Sequence, residues 1–258
     1  MRIVTELLFP PKCSSCDELL PFRGFHRLST PILCEDCRAE WEAEREARCA
    51  LCGELVGDCK CLTETLEHAH CQGFYKLLYY RPDSKCVQNR MIYHIKDRPS
   101  ARLISFFAEE LEGRVSAILK DGEMNPDEVV LMPIPRSFRA WAISGSDQAI
   151  SLARALGERT GIEVSFAIKR NWRRNRQQKT LKTKERIANA KSAYRLIDKR
   201  LPKGRSVILV DDIVTTGATM SAVARLLYRS GLRRIYCLAI CSHDSNRTAE
   251  VAQPRFRI

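Results

Sequence analysis

Residues 207–219, VILVDDIVTTGAT, put two adjacent carboxylates, Asp211 and Asp212, at the end of a four-residue apolar run and follow them with a hydroxyl-rich turn. The run has the composition of a strand buried on both faces. Two ionised acids inside such a strand would be costly, so they are expected where the strand leaves the sheet, facing a crevice. Thr215, Thr216, Gly217, Ala218 and Thr219 then turn the chain into a helix. They would present backbone N–H groups, hydroxyls and the positive helix end to one point, a site for a phosphate monoester. Carboxylates that accept from two vicinal hydroxyls, beside a cradle for a terminal phosphate, describe a ribose 5-phosphate held at both ends. A pair of acids after a strand also fits a divalent-metal site or a plain helix cap.

A second chemistry lies in the cysteines, eight of whose twelve fall between Cys13 and Cys61. Cys13 and Cys16 form one CxxC and Cys34 and Cys37 another, seventeen residues on, the spacing of a zinc ribbon in which two knuckles supply four thiolates. Cys49 and Cys52 make a third knuckle. Its partner is left open: Cys59 and Cys61 are one residue apart and can ligate from a bend, or Cys71, His68 or His70 completes the set. Four thiolates leave no open position, so the zinc is expected to be structural. Cys86, Cys237 and Cys241 read as small buried hydrophobes. No stretch reaches the length of a membrane-spanning helix and the N-terminus lacks a signal sequence, so a cytoplasmic protein with reduced thiols is expected.

The elements that must position these groups are strands alternating with helices. Strands are expected at FYKLLYY (74–80), VVLM (129–132, ended by Pro133 and Pro135), EVSFAI, SVILV and IYCLAI. Helical periodicity runs from Ser84 to Leu119, broken near Arg98 and Pro99, and again over SDQAISLARALGER, capped by Ser146 or Asp147, and from about Thr219 to Ser230, closed by Gly231. Residues 40–48, EWEAEREAR, read as a charged helical connector between the two zinc sites. The pattern predicts a parallel α/β sheet flanked by helices, with the ligand beyond the carboxyl ends of its strands. A chain of 258 residues can bury one large core and a small satellite. Residues 1–72 are expected to form a cysteine-rich double zinc-ribbon domain and residues 73–258 the α/β domain.

The formal charge of +12 is concentrated in Lys169–Arg186, with nine Lys or Arg against one Glu. Such a run is a solvated segment, an anion site or a nucleic-acid track, and Arg170, Trp172, Arg173, Arg174 and Arg176 are its candidate nucleic-acid contacts. Lys12, Arg23 and Arg27 of the zinc ribbons could add to it.

All thirteen residues of the opening stretch fit the phosphoribosyl pyrophosphate signature of the type I phosphoribosyltransferases. Together with the paired cysteines, YHIKDR, MPIPRS, SDQAISLARAL and RQQKTLKTKERIANAKSAYRL, they make the chain resemble, over nearly its whole length, the ComF family: competence-associated proteins with a zinc-ribbon head on a phosphoribosyltransferase-like domain. The resemblance implies that Asp211 and Asp212 hold the ribose hydroxyls and Thr215 to Thr219 the 5-phosphate. It implies that PIPRS, after the first sheet strand, is the pyrophosphate loop with Arg136 as a contact, and that the basic segment is a hood over the site. Magnesium would bridge pyrophosphate and ribose, and Lys96, Arg136, Lys179 or Arg186 would cover the departing pyrophosphate in a transfer reaction. Single-stranded DNA and other competence or DNA-processing proteins are the implied partners. One departure bears on catalysis more than on binding: ISGSDQA carries Ser144 and Ser146 where the family usually has an arginine and an aromatic residue. The alternative function is purine or pyrimidine salvage.

Overall fold

The computed structural model describes residues 10–20, 31–81, 85–97, 100–136, 141–142, 145–171 and 193–243. Helix α1 (Glu35–Arg45) and the single turn α2 (Glu64–Glu67) belong to the cysteine-rich segment. Strand β1 (Gly73–Tyr80) then leads into α3 (Val87–Asp97) and α4 (Ala101–Asp121). Next come β2 (Val129–Pro133), α5 (Gln148–Thr160) and the short strands β3 (Glu163–Val164), β4 (Ile168–Arg170) and β5 (Tyr194–Leu196). Strand β6 (Ser206–Val214), α6 (Ala218–Arg229) and β7 (Ile235–His243) complete the order.

Five strands form one sheet in the order β1-β7-β6-β2-β3, and every pairing in it is parallel. Parallel strands require crossovers, and helices provide them on both faces. Side chains alternate between the faces: Ile208 and Val210 join the cluster built on α3, α4 and α5, and Val207 and Leu209 join the one built on α6. The expected parallel α/β sheet flanked by helices is what forms.

Several boundaries differ from the sequence reading. EVSFAI does not make one strand: Glu163 and Val164 pair with β2, the Ser165 hydroxyl then donates to the Arg200 carbonyl at 2.9 Å, and Ile168–Arg170 moves into an antiparallel pair with β5. VVLM is the second strand of the sheet in chain order, because FYKLLYY supplies its edge. Residues 40–48 do more than connect. The helix starts at Glu35, and Trp41, 1% exposed, packs on Phe106 and Phe107 of α4 with ring centroids 5.3 and 6.0 Å away. Arg90 of α3 donates to Ser15 Oγ (2.7 Å) and Glu40 Oε2 (2.6 Å), and Arg114 of α4 pairs with Asp58 at 2.7 Å, so the cysteine-rich segment is docked along β1, α3 and α4. No helix among the described residues is long and apolar enough to cross a membrane.

Candidate functional site

Strand β6 carries the two aspartates, and it runs further than its composition suggests. Its partner β2 ends at Pro133, opposite Val210, while β7 continues beside it, pairing Asp211 with Ala239 and Val214 with Ser242. Asp211 and Asp212 are therefore still in the sheet, with one flank open beyond the end of β2. The expectation that they lie where the strand leaves the sheet is corrected by this longer ladder. Both are half-buried. Each carboxylate accepts the next backbone N–H, Asp211 Oδ1 from Asp212 (2.9 Å) and Asp212 Oδ1 from Ile213 (2.8 Å).

The two carboxylates interact with each other as well as with their separate neighbours. On the α3 side, Lys96 Nζ lies 3.7 Å from Asp212 Oδ2, an oxygen with no hydrogen-bond partner among the described residues. On the α6 side, the Asp211 carboxyl acts electrostatically on Tyr194, whose phenol also bonds Thr219. Arg170 Nη1 donates to the Tyr194 hydroxyl at 3.1 Å, and its guanidinium lies 5.3 Å from the ring centre. Burial, and then the charge on Asp212, hold the Asp211 carboxyl well above the usual aspartate range. Burial also pushes the Tyr194 phenol up to about 12 against the pull of Arg170.

A third acid joins them. Asp147 caps α5, accepting from Ile150 N at 3.2 Å, and its other oxygen accepts from Arg136 N at 2.8 Å. Its carboxyl is raised by burial, with the Asp212 charge adding to the effect and the Arg136 hydrogen bond opposing it. The Arg136 guanidinium donates to Gln148 Oε1, and Gln148 Nε2 donates to the Ile95 carbonyl (2.7 Å) and Ser146 Oγ (3.0 Å). A chain of contacts thus runs from the PIPRS turn through Gln148 to the helix that carries Lys96. Asp147, Gln148 and Tyr194 were not among the sequence-derived site residues. The only signal was Asp147 as a helix cap, since their convergence depends on the packing of α3, α5 and β5.

The turn after β6 is built for close approach. Gly217, in the left-handed region at φ +70°, is the N-cap of α6, and Thr216 Oγ1 accepts from Ala218 N at 3.4 Å. Thr215 and Thr216 are exposed, whereas Gly217 is buried against α2 of the cysteine-rich segment: a Cβ there would meet Thr63 Oγ1 at 2.9 Å and Leu66 Cγ at 3.3 Å.

This joins a glycine turn at a helix N-terminus and a carboxylate pair at the carboxyl edge of a parallel sheet. The family described as "Phosphoribosyl transferase domain" matches residues 114–256. The chain belongs to the phosphoribosyl transferase domain family. DNA utilization protein YhgH of Salmonella typhimurium is 26% identical over 231 residues, 83% of this chain and 98% of that protein. Competence protein ComFC of Bacillus subtilis is 26% identical over 213 residues, 77% of this chain and 79% of that one. Competence protein F of Haemophilus influenzae is 32% identical over 111 residues, 43% of this chain and 48% of that one. The resemblance to the ComF family stands on these relatives. In this phosphoribosyl transferase domain protein, Arg170 is the one nucleic-acid candidate of the basic run that the structure places; Trp172, Arg173, Arg174 and Arg176 lie outside the described residues, as do Arg23, Arg27, Ser144, Lys179 and Arg186.

The cysteines form two groups that could hold a metal ion, Cys13, Cys16, Cys34 and Cys37 in one and Cys49, Cys52, Cys59 and Cys61 in the other, with all sulfurs of a group within 4.8 Å. The open choice for the second group falls to Cys59 and Cys61. His68 hydrogen-bonds the Glu64 carbonyl at 2.7 Å, His70 stacks on Tyr228, and Cys71 Sγ sits 3.4 Å from Cys237 Sγ in the core. The donor sets suit a soft divalent cation. Burial raises the Cys49 thiol, but the Cys52 N–H, the Tyr79 hydroxyl and the Leu51 N–H outweigh it and bring it to about 6. Burial and crowding by Cys52 push Cys61 to about 12, a repulsion that a bound cation would relieve.

Proposed function

We propose that this protein binds phosphoribosyl pyrophosphate, with Thr215 to Thr219 around the 5-phosphate and Asp211 and Asp212 on the ribose hydroxyls. The observation that carries the reading is Gly217: a left-handed N-cap that opens α6 immediately beyond an acid pair at the carboxyl end of a central strand. Lys96, 3.7 Å from Asp212 Oδ2, and Arg136, whose backbone N–H bonds Asp147, are the cations assigned to the pyrophosphate in this reading. Magnesium fits the hard oxygen donors gathered here, Asp211, Asp212 and the ligand's own hydroxyls, and would offset the charge of the pyrophosphate. Calorimetry of phosphoribosyl pyrophosphate with magnesium tests the site: the native chain should bind, and a chain carrying Asp211→Asn and Asp212→Asn should not. Native protein that gives no heat of binding refutes the reading.

The proposed role is in DNA uptake or utilization in the cytoplasm, supported by the names of the three relatives, the charge of +12 and the basic run 169–186. In this reading, residues 1–72 are a double zinc-ribbon domain holding two structural zinc ions through the two cysteine groups, and residues 73–258 the phosphoribosyltransferase-like domain. The basic run, Arg170 included, contacts single-stranded DNA. Affinity for a single strand should then fall steeply between low and moderate salt, with a slope of about −0.7 per phosphate neutralised. Binding indifferent to salt would count against it. Ordinary salvage separates through pyrophosphate release on purines, pyrimidines and orotate. Turnover at enzymatic rates on one base favours salvage, and silence on all favours the accessory role.

A further inference from the structure

We propose that Lys76 is the charge-balancing donor of the second cysteine centre and determines how tightly that centre holds its metal ion. The inference rests on the reading of the two cysteine groups as zinc centres. Lys76 lies in the middle of β1, an edge strand of the sheet, and is 3% exposed. A buried ammonium is costly unless an anion faces it. None of the ion pairs among the described residues involves Lys76. Its Nζ instead donates to Cys59 Sγ at 3.3 Å, with the rings of Phe74 and Tyr79 at 5.1 and 5.8 Å.

Charge counting gives the reason. Four thiolates and one divalent ion leave a centre with two negative charges, half inside the protein, and one lysine halves that excess. The strand supplies a second contact, because the Tyr79 hydroxyl bonds to Cys49. Two side chains of β1 therefore hold two of the four ligands from outside, the arrangement that fixes ligand orientation in metal sites. The first centre is made differently. Arg90 Nη2 donates to Cys37 Sγ at 3.6 Å, but the same nitrogen is paired with Glu40 at 2.6 Å, so much of its charge is already answered. The two centres should thus differ in their dependence on a single cation. Lys76 also stands in register with Ala239 of β7, so loss of the ion would leave an unanswered charge in the sheet itself.

The test uses the full chain loaded with zinc and a chromophoric chelator. The native protein should yield two ions. Lys76→Met should release one of them roughly 10–100-fold more readily and leave the other unchanged. Lys76→Arg should stay near native, and Lys199→Met, at an exposed site, should match it. In the cobalt-substituted protein, Lys76→Met should shift the thiolate charge-transfer bands of one centre only. If Lys76→Met does not fold, Lys76→Gln, which keeps a donor without the charge, enters the same competition and should release that one ion severalfold more readily than native. A folded Lys76→Met or Lys76→Gln chain that holds both ions as tightly as native overturns the proposal. Fewer than two ions in the native chain overturns the zinc reading itself, before any variant is compared.

Discussion

Gly217→Ala is the sharpest probe of how the turn after β6 is held. The residue sits at φ +70°, where an L side chain is disfavoured by about 1–2 kcal/mol. The added methyl would also stand 2.9 Å from Thr63 Oγ1 and 3.3 Å from Leu66 Cγ, contacts that α2 must yield to accommodate, at a further ~1–3 kcal/mol. The substitution should therefore destabilise the fold by about 2–5 kcal/mol. Thr63 provides the control. Its hydroxyl is buried and has no hydrogen-bond partner among the described residues, so Thr63→Ala alone should change stability by less than about 1 kcal/mol. Combined with Gly217→Ala it should restore about 1–2 kcal/mol, because the oxygen is gone while the backbone strain and Leu66 remain. Urea unfolding of the four proteins gives the cycle, and calorimetry with phosphoribosyl pyrophosphate reports the turn itself. Gly217→Ala within about 0.5 kcal/mol of native, or strict additivity in the double variant, would refute the packing argument.

Three further outcomes follow from the site and its supports. The Asp211 carboxyl is raised by burial and then by Asp212, so the native state binds the extra proton and stability declines as pH rises from the ordinary aspartate value of 3.8 toward the raised one. Asp211→Asn should therefore unfold at higher urea than native at neutral pH, with the gap closing toward pH 4, while ligand affinity is lost. Lys96→Met removes the cation 3.7 Å from Asp212 Oδ2 and should lower affinity for phosphoribosyl pyrophosphate in calorimetry, with a stability loss of about 1 kcal/mol in urea. Trp41→Ala empties the contact with Phe106 and Phe107 and should destabilise by about 3–5 kcal/mol. Trp41→Phe should be milder in the same melts, because the indole N–H has no partner to lose among the described residues.

What could be read in advance was what local pattern controls. VVLM, SVILV and IYCLAI are continuous apolar runs, and a parallel sheet covered on both faces is what such runs build. The close cysteine pairs declared the first cluster and the Cys49–Cys52 half of the second. The details that escaped are those set by distant neighbours. β6 continues through both aspartates because β7 continues beside it, and no feature of residues 207–214 encodes the length of β7. Cys71 was a candidate ligand by proximity in sequence, yet its sulfur meets Cys237, 166 residues away. Trp41 looked like one apolar residue in a charged helix, and only the Phe106–Phe107 face of α4 turns it into an anchor. Lys76 carried a legible but unread signal: a lone charge inside GFYKLLYY, a strand buried over nearly its whole length, requires an anion that the strand does not supply.

The same long-range packing would make the proposed phosphate turn depend on the second cysteine group beside it. Cys61, the last member of the second cysteine group, is two residues before Thr63, and Thr63 and Leu66 form the wall that a Cβ at Gly217 would strike. In the proposed reading the turn presents N–H groups to a phosphate, which needs its glycine held in one conformation, and the wall of Thr63 and Leu66 confines it. If the proposed ion tethers the four sulfurs, its removal gives the chain entering α2 conformational freedom that binding must then remove. Stripping the second ion with a chelator should therefore weaken phosphoribosyl pyrophosphate by about tenfold, or 1.4 kcal/mol, and returned zinc should restore it. Calorimetry on native, stripped and reloaded chain measures this directly. Equal affinity in all three would mean that α2 holds its place through Leu66 and its apolar neighbours alone, with the metal confined to its own segment.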